Sequence, residues 1–502
     1  MKQPQSIVII GGGPSGIAAA LEAVRHGASP VVLERLDRVG GLARTLAHAG
    51  NRFDIGPHRF FTYNAEVRRL FAEVVGDDLI RVPRLTRIYY RNRFFDYPLT
   101  PLNALFGLGI VSSIRIFASY LAARVRRWLV SPTIISFEDW VVDRFGRRLY
   151  ETFFKTYTEK VWGISCQRIG ADWAAQRIKG LSLSTAVWNA LFRPKKKVIK
   201  TLVDEFVYPR LGAGQFYEKM ETIVASRGGE IRKRTEVTKL MRDGDRVVAV
   251  ACRGEDGAEG VLEGGFFLSS APLTELVAQL DPPPPAEIVA AARGLRYRSH
   301  IGVKLVIEGE PPFPDNWIYV HSPEVKMARV ANYRNFSKEM GASAACNPIT
   351  VEYFCFPGDE IWESSDAALI ARAIAELHTM GIAGGRISGA FVVRSEKAYP
   401  VIEIGFEEKV EMIRSYLGRF ENLLPIGRSG MFKYNNQDHA IATGLYAART
   451  ALGLGDFDPW LVNIDAVYQE GAEVELAPSP APSAINERAA GVGAAGPAAA
   501  SI

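Results

Sequence analysis

The stretch that decides the fold is residues 6–16, Ser-Ile-Val-Ile-Ile-Gly-Gly-Gly-Pro-Ser-Gly. Residues 6–10 form the continuous apolar run of a buried parallel strand, and residues 18–26 predict the helix behind it. Between them lies the arrangement G-x-G-x-x-G, made by Gly11, Gly13 and Gly16. The first two glycines let the backbone turn and approach a pyrophosphate, and the third lets the helix pack closely on the strand.

A second strand and an acidic residue complete this unit. Residues 31–33 read as the next buried strand, which gives a βαβ unit, and Glu34 follows at its carboxyl end. A carboxylate at that place can accept hydrogen bonds from a ribose. We therefore predict a dinucleotide site at the start of the chain.

Composition excludes several classes of protein. The 502 residues carry a net charge of only +5, and no apolar run is long enough to span a membrane, so neither a nucleic-acid binder nor a membrane-spanning protein is expected. The four cysteines form no CxxC pair and have no histidine at metal-ligand spacing, which argues against a disulfide scaffold or a metal site. Because the first residues lack the pattern of a secretory signal, we expect a cytoplasmic protein of two or three domains.

Further elements follow from periodicity. Proline-rich residues 281–285 predict a rigid loop, and residues 471–502, rich in Ala, Pro, Gly and Ser, predict a disordered tail. Helices are predicted at 99–130, 137–154, 170–191, 367–380 and 444–452, and strands at 230–240, 246–252, 266–270, 301–307, 317–321, 328–333 and 350–356.

A second glycine turn favours FAD over NAD as the dinucleotide. Gly40 and Gly41, followed by Arg44, resemble the second phosphate-proximal turn of flavoproteins in the glutathione-reductase-like and amine-oxidase-like superfamily. In that superfamily a later strand completes the adenosine site, which here implicates Val237, and a glycine turn near Gly427 reaches the flavin. No second complete G-x-G-x-x-G is present, so a separate nicotinamide domain is not indicated, although external NADPH or NADH remains open as a reductant.

Three longer motifs narrow the resemblance. Residues 157–163, Tyr-Thr-Glu-Lys-Val-Trp-Gly, are similar to the Y-T-x-K-x-W-G signature of UDP-galactopyranose mutases. Residues 54–58, Asp-Ile-Gly-Pro-His, resemble their glycine-histidine loop, and residues 427–439 resemble the C-terminal segment of the eukaryotic-type branch. Thr100 departs from that branch, which has a glutamine there, so the resemblance does not fix the sugar or the base.

The resemblance implies both a fold and a set of site residues. It implies an α/β fold with a discontinuous Rossmann-like FAD-binding domain at 1–90, 200–271 and 396–465, an inserted, mainly helical domain at 91–199, and an antiparallel-sheet substrate domain at 272–395. The implied catalytic residues are His58, Arg329 and Arg428; the substrate-binding residues are Tyr97, Trp162, Arg177, Tyr319, Tyr434 and Asn436; and Gln437 and Asp438 join the cofactor-binding residues already named.

The implied activity is interconversion of the pyranose and furanose forms of a UDP-sugar. As understood for the family, N5 of reduced FAD forms a covalent adduct with the sugar while the nucleoside diphosphate departs. Residue chemistry fits that expectation, because guanidinium groups such as Arg329 and Arg428 can hold a diphosphate through paired, planar hydrogen bonds.

Two other functions stay open. Protoporphyrinogen oxidases, desaturases and amine oxidases share this FAD architecture and oxidise hydrophobic, lipid-linked or amine substrates. Residues 99–130 favour that alternative, since four arginines and Trp128 interrupt an apolar segment that either contacts a membrane peripherally or packs as an ordinary helix pair. A non-enzymatic FAD-binding protein ranks last because it leaves the tyrosines and arginines of the motifs without a purpose. The sequence leaves the oligomeric state open.

Overall fold

The computed structural model describes residues 6–97, 103, 107–130, 132–177, 205–382 and 384–463. The predicted tail at 471–502 and most of the predicted helix at 170–191 lie outside these residues. The strands are β1 (Ile7–Ile10), β2 (Val31–Leu33), β3 (Thr45–His48), β4 (Asn51–Asp54), β5 (Leu79–Pro83), β6 (Thr86–Tyr90), β7 (Arg93–Asp96), β8 (Glu205–Pro209), β9 (Glu230–Arg232), β10 (Thr235–Asp243), β11 (Arg246–Gly254), β12 (Glu259–Glu263), β13 (Phe266–Ser269), β14 (Leu280–Asp281), β15 (Tyr297–Glu308), β16 (Trp317–Val320), β17 (Arg329–Asn332), β18 (Cys346–Cys355), β19 (Ile387–Pro400) and β20 (Leu423–Pro425). The α-helices are α1 (Pro14–Arg25), α2 (Ala65–Val75), α3 (Ile110–Val130), α4 (Phe137–Phe145), α5 (Arg147–Leu149), α6 (Thr156–Trp162), α7 (Ala171–Arg177), α8 (Gly214–Ser226), α9 (Leu273–Gln279), α10 (Ala286–Arg293), α11 (Glu360–Glu363), α12 (Asp366–Thr379), α13 (Phe406–Leu417), α14 (Gly427–Gly430) and α15 (Gln437–Ala451).

A five-stranded parallel sheet is built from distant parts of the chain in the order β20-β13-β1-β2-β9. The predicted βαβ unit is confirmed as β1, α1 and β2. Helix α1 begins at Pro14, earlier than predicted, because proline is well suited to a first turn that has no intrahelical N–H bond to lose. Strand β1 therefore lies between β2, which follows it closely in sequence, and β13, which lies far along the chain.

A seven-stranded sheet forms the second layer, in the order β19-β15-β18-β17-β16-β6-β7. Its pairs are antiparallel except for β16 with β6, which run parallel. The register places Tyr319 of β16 beside Arg329 of β17, and Arg329 beside Glu352 of β18. Three strands thus bring a phenol, a guanidinium and a carboxylate into one row.

This second sheet takes strands from more than one of the predicted domain ranges. Strand β6 falls within the range 1–90, and β19 crosses from the range ending at 395 into the one beginning at 396. The two sheets are therefore connected through shared segments of chain.

The helices differ from the prediction in more than one place. Helix α15, predicted at 444–452, begins at Gln437. A single helix was expected at 137–154, but that prediction was wrong, because the chain breaks at Gly146, where φ is +82°, and continues as α5 and a π-helical turn over Tyr150–Lys155. A Cβ on Gly146 would lie 2.7 Å from the carbonyl carbon of Ser119 in α3. The close approach of α3 thus requires glycine at position 146, and the positive φ of that glycine ends α4 there.

The strand predicted at 230–240 is also divided. Strand β9 ends at Arg232, and β10 begins at Thr235 in a different sheet. Arg234 between them has a φ of +55°, a left-handed conformation that interrupts an extended chain. The segment predicted as one strand therefore contributes to two sheets.

Candidate active site

A cavity of about 650 Å³ lies where the two sheets approach each other. Its volume falls within the range of about 300–1,000 Å³ that is usual for small-molecule sites. The residues predicted from sequence that line it are Gly11, Gly13, Glu34, Gly41, Arg44, His58, Val237, Tyr319, Arg329, Arg428, Asn436, Gln437 and Asp438. Segments from the beginning, middle and end of the chain therefore meet at one place.

Two glycine turns form one end of the cavity. A Cβ on Gly16 would lie 1.8 Å from the carbonyl oxygen of Gly11, so only glycine lets helix α1 begin there. Gly13 lines the cavity, and a Cβ on it would have no protein atom nearer than the Cα of Gly41, at 4.0 Å. The N–H of Gly40 donates to the carbonyl of Gly12 at 2.8 Å. The second turn thus packs on the first and leaves an open cradle of main chain.

Glu34 and Arg44 border this cradle. The carboxylate of Glu34 accepts hydrogen bonds from the backbone N–H groups of Gly12 at 2.6 Å and Leu36 at 2.7 Å. Burial raises the pKa of Glu34 and lowers that of Arg44, whose Nη1 donates to the carbonyl of Gly41 at 2.6 Å. Both side chains brace the glycine turns while facing the cavity.

The C-terminal segment completes the cavity beside the first glycine turn. Gly427 has a φ of +77°, and a Cβ on it would lie 2.4 Å from Oγ of Ser15. Helix α15 begins beside it, with Asn436 as the N-cap and Gln437 and Asp438 in the first turn. Burial raises the pKa of Asp438 to about 6. The positive end of this helix dipole therefore opens on the cavity, where it favours an electron-rich group.

These features fit the predicted FAD. The glycine cradle offers room and backbone N–H groups for a pyrophosphate, and the N-terminus of α15 lies at the end expected for the flavin. Gly11, Gly13, Gly41, Glu34, Arg44 and Val237 would hold the nucleotide half, with Gly427, Gln437 and Asp438 at the flavin half.

A buried ion pair organises the far end of the cavity. Arg329 donates from Nε to Oε1 of Glu352 at 2.7 Å and from Nη2 to Oε2 at 2.6 Å. Nε2 of His300 lies 2.9 Å from the same Oε2. Burial by itself would raise the pKa of Glu352, but Arg329 and His300 outweigh it and hold the pKa at about 2. Glu352 is therefore a carboxylate that neutralises and orients Arg329.

The glycine-histidine loop at residues 54–58 lies against that ion pair. A Cβ on Gly56 would lie 3.3 Å from both Arg329 Nη2 and Glu352 Oε2. The fully buried Lys304 donates to the carbonyls of Asp54 at 2.6 Å and Ile55 at 3.1 Å. Since its amine is desolvated, the pKa of Lys304 is lowered to about 7. Main-chain contacts therefore fix the position of the loop.

His58 projects from this loop into the cavity. Burial and the charges of Arg428 and Arg329 lower the pKa of His58 to about 3, so the imidazole is neutral. Its Nδ1 is buried without a hydrogen-bond partner in the described part of the protein. The neutral imidazole of His58 can therefore form a hydrogen bond through Nδ1 with a group bound in the cavity.

Arg428 is the second arginine whose charge acts on His58. Its Nε donates to the carbonyl of Asn435 at 2.7 Å, and its guanidinium lies over the rings of Tyr399 and Tyr434, at 4.9 and 5.3 Å from their centroids. Among the described residues it has no carboxylate partner within 4 Å, unlike Arg329. Arg428 therefore supplies an uncompensated positive charge at this end of the cavity.

The predicted aromatic residues fall into two groups. Tyr319 lines the cavity and packs on Tyr97 and Tyr157, with ring centroids 5.2 and 5.6 Å away. Trp162 is only 2% exposed and packs against Trp173 and Tyr434, with ring centroids 5.2 and 5.6 Å away, and it is not among the residues that line the cavity. Arg177 ends helix α7, and its side chain lies outside the described structure.

Lys160 of the same motif connects α6 to the sheet. Its Nζ donates to the carbonyls of Val320, Ser322 and Met327 at 3.2, 2.5 and 3.2 Å. The segment 157–163 thus attaches the helical layer to the strand that carries Tyr319.

Sequence reasoning missed four residues of the site: Glu352, His300, Lys304 and Tyr399. His300, Lys304 and Glu352 lie within long strands whose apolar neighbours predict only a buried sheet, and Tyr399 lies in β19, which was not predicted as a strand. Two of these strands contain a charged residue between apolar ones, in Val-Lys-Leu at 303–305 and Val-Glu-Tyr at 351–353. Because buried charges are rare unless they are paired, these residues could have been predicted to belong to a site.

The site can hold an anion beside a cofactor. Arg329 and Glu352 cancel each other, the pKa shifts keep His58 and His300 neutral, and Arg428 leaves a positive charge under aromatic cover. Backbone and phenolic groups add neutral hydrogen-bond donors. The arrangement leaves room for a negatively charged group beside Arg428.

Comparison with known proteins places the chain among flavoproteins. Residues 14–394 match the family described as flavin containing amine oxidoreductase. A phytoene dehydrogenase from Streptomyces griseus is 26% identical over 260 residues, which are 49% of this chain and 50% of the relative. The chain thus spans about half the length of that curated relative.

Solved structures share the fold over nearly the whole chain. Reduced UDP-galactopyranose mutase superposes with a TM-score of 0.79 at 20% identity, covering 92% of this chain and 98% of the other. A candidate protoporphyrinogen oxidase from Exiguobacterium sp. gives a TM-score of 0.68 at 16% identity, covering 90% and 99%. At these identities the similarity establishes the α/β fold with its antiparallel second sheet.

Proposed function

The chain belongs to the flavin-containing amine oxidoreductase family and binds FAD, and from this premise we propose that it is a mutase-like enzyme that interconverts ring forms of a nucleotide sugar. The observation that carries the proposal is the positive charge of Arg428 at the end of the cavity lined by Tyr319 and His58. An enzyme that oxidises a hydrocarbon has no use for an uncompensated guanidinium there, whereas a diphosphate does.

In this proposal Arg428 and Arg329 have different duties. Arg428 has nitrogens free of any carboxylate among the described residues and would take most of the charge of the diphosphate. Arg329 donates from Nε and Nη2 to Glu352, which leaves its Nη1 for the ligand. Glu352 thus sets the angle of Arg329 while weakening its net charge.

The other residues would exclude water and orient the sugar. Tyr319, with Tyr97 packed behind it, would donate a phenolic hydrogen bond, and Trp162 would support Tyr434 from beneath. His58 is uncharged, so it would accept or donate a hydrogen bond beside the cofactor without repelling a cationic sugar centre. When bound and reduced, FAD supplies the electron-rich nucleophile that such a reaction requires.

The test is a comparison of product with reductant consumed. FAD-loaded protein, reduced once with dithionite under anaerobic conditions, is incubated with a panel of UDP-sugars, and the furanose and pyranose forms are separated by chromatography. The proposal requires many product molecules per reduced flavin, with the flavin still reduced at the end. Flavin reoxidation in step with each product, or no ring-form conversion across the panel, would overturn it.

A second candidate is an oxidoreductase acting on a hydrophobic or lipid-linked substrate. It is favoured by the apolar, solvent-exposed surface of α3 and by the similarity to a phytoene dehydrogenase. The same preparation distinguishes it, because oxidised enzyme would then consume oxygen with an isoprenoid, porphyrinogen or amine and would ignore UDP-sugars.

A further inference from the structure

Helix α3 carries an apolar surface that the rest of the described protein does not cover. It has 21 residues, which makes it about 30 Å long. Tyr120 is its only buried residue, and Trp128 is 83% exposed. One face, called here the apolar stripe, consists of Ile110, Ile114, Phe117, Leu121, Val125 and Trp128, all of them exposed.

The apolar stripe is a continuous face of the helix. Its members follow one another at intervals of three or four residues, the spacing that aligns side chains along one side of an α-helix. The packed side faces α4 and α5, where Arg127 pairs with Asp143 at 2.8 Å and Ser119 lies against Gly146. The stripe thus points away from the body of the protein.

Arginines flank the stripe on both sides. At about 100° per residue, Arg124 borders the stripe on one side. On the other side the exposed Val111 and Leu129 extend the apolar face as far as Arg115 and Arg126. None of the three forms an ion pair within 4 Å among the described residues, and α3 contains no Asp or Glu. A helix with an apolar face, positively charged borders and no acidic residue is suited to an interface at which an apolar layer lies beneath a layer of anionic groups.

Length and composition exclude a membrane span here. No helix in the described part of the chain is both long and apolar enough to cross a bilayer. A helix lying flat would bury the stripe at the level of the acyl chains and leave the arginines among the phosphates.

We propose that α3 docks this protein on an anionic lipid surface, with the apolar stripe inserted at the interface and Arg115, Arg124 and Arg126 on the lipid phosphates. Charge complementarity favours a lipid surface over a second copy of this chain as the partner of α3. A second copy would bring the same arginines against one another, whereas an anionic leaflet neutralises them. This docking is independent of the proposed ring-form chemistry.

The experiment is flotation of the full-length, FAD-loaded protein with vesicles of phosphatidylcholine alone or with added phosphatidylglycerol. Wild-type protein should float with the anionic vesicles and much less with the neutral ones, and added salt should release it. Replacing all three flanking arginines by glutamine should lower partitioning by about 100-fold, since each contributes about 5-fold near an anionic surface. The matched control is the triple Arg81→Gln, Arg227→Gln, Arg293→Gln, which removes the same charge elsewhere.

The apolar contribution is tested with two residues of nearly equal exposure. Ile114 is 63% exposed in the stripe and Val261 is 64% exposed on β12. Ile114→Glu should lower partitioning by about 10-fold or more, because it removes a buried aliphatic side chain from the complex. Val261→Glu should leave partitioning unchanged, and the flavin absorbance per protein verifies that both variants fold.

Each other outcome contradicts the proposal. Equal flotation with both lipids, or equal loss in Val261→Glu, would overturn the role of the stripe and its arginines. A dimer that Ile114→Glu dissociates, with no flotation, would show that a second copy covers the stripe. A monomer that does not float would show that nothing anionic is recognised there.

Discussion

The two ends of the cavity are built on different principles. The glycine end consists mainly of main chain from Gly11 to Gly41, where the second glycine turn packs on the first. The arginine end consists of side chains from β17, β18 and a distant C-terminal segment. Shape therefore governs one end and charge governs the other, and substitutions should damage them in different ways.

The largest effect is expected from Glu352→Gln, which removes the carboxylate under Arg329. A buried guanidinium left without its partner costs about 3–5 kcal/mol in the free energy of unfolding. Denaturation in urea measures this, with Glu360→Gln as the control, because Glu360 pairs with Arg372 at the surface.

A double variant distinguishes loss of charge pairing from loss of packing at Glu352. Combining Glu352→Gln with Arg329→Met removes both charges, and most of the lost stability should return. If the double variant is no more stable than Glu352→Gln, the loss arises from packing and the arginine end is not governed by charge.

The next effect tests shape at the glycine end. Gly16→Ala would place a Cβ 1.8 Å from the carbonyl oxygen of Gly11, so the turn must shift, at a cost of about 3 kcal/mol, with loss of bound FAD. Flavin absorbance per protein and the melting temperature report both consequences. Gly170→Ala is the control, since a Cβ there meets nothing within 4 Å. Full FAD content in Gly16→Ala would show that the turn has more room than the structure gives it.

Arg428→Gln should separate the two ends functionally. Loss of a charged hydrogen-bonding partner is expected to weaken UDP binding by about 10- to 100-fold while the FAD spectrum is unchanged. Isothermal titration with UDP measures the affinity, with Arg394→Gln as control, because Arg394 also lines the cavity but pairs with Asp366. Unaltered UDP affinity in Arg428→Gln would remove this residue from the substrate site.

Near neutral pH, the smallest effect is a pH dependence at the junction of the two ends. His58 has a pKa of about 3 in the folded protein against an ordinary 6.5, so between these values the unfolded chain binds a proton that the folded one does not. Stability should therefore fall as pH drops below about 6.5, by at most about 1.4 kcal/mol per pH unit from this group. His58→Gln should show a shallower fall in urea denaturation over that range. His378→Gln, an exposed control, should follow the wild type.

Sequence reasoning succeeded where the determinants are local. The glycine turns, Glu34 and the βαβ unit follow from spacing within a few dozen residues. Arg329 was found through a motif, but Glu352 was not, because only the register between β17 and β18 brings it there. The break at Gly146 was likewise invisible, since it depends on the approach of α3.

Trp162 illustrates the remaining limit. Its motif predicted contact with the substrate. A motif specifies the neighbours of Trp162 in sequence, but it does not specify whether the indole ring faces the cavity or packs against Tyr434 away from it. Whether it affects the substrate through Tyr434 stays a prediction.

The contact between Gly444 and Ser15 has a consequence for the order of events during synthesis. A Cβ on Gly444 would lie 2.0 Å from the carbonyl oxygen of Ser15, so α15 and α1 pack with almost no space between their backbones. On the ribosome, the first of these helices must wait roughly 20 to 90 seconds for the second, at about 5–20 residues per second. The dinucleotide site is therefore complete only after the C-terminal segment that carries Gly427 and α15 has been synthesised.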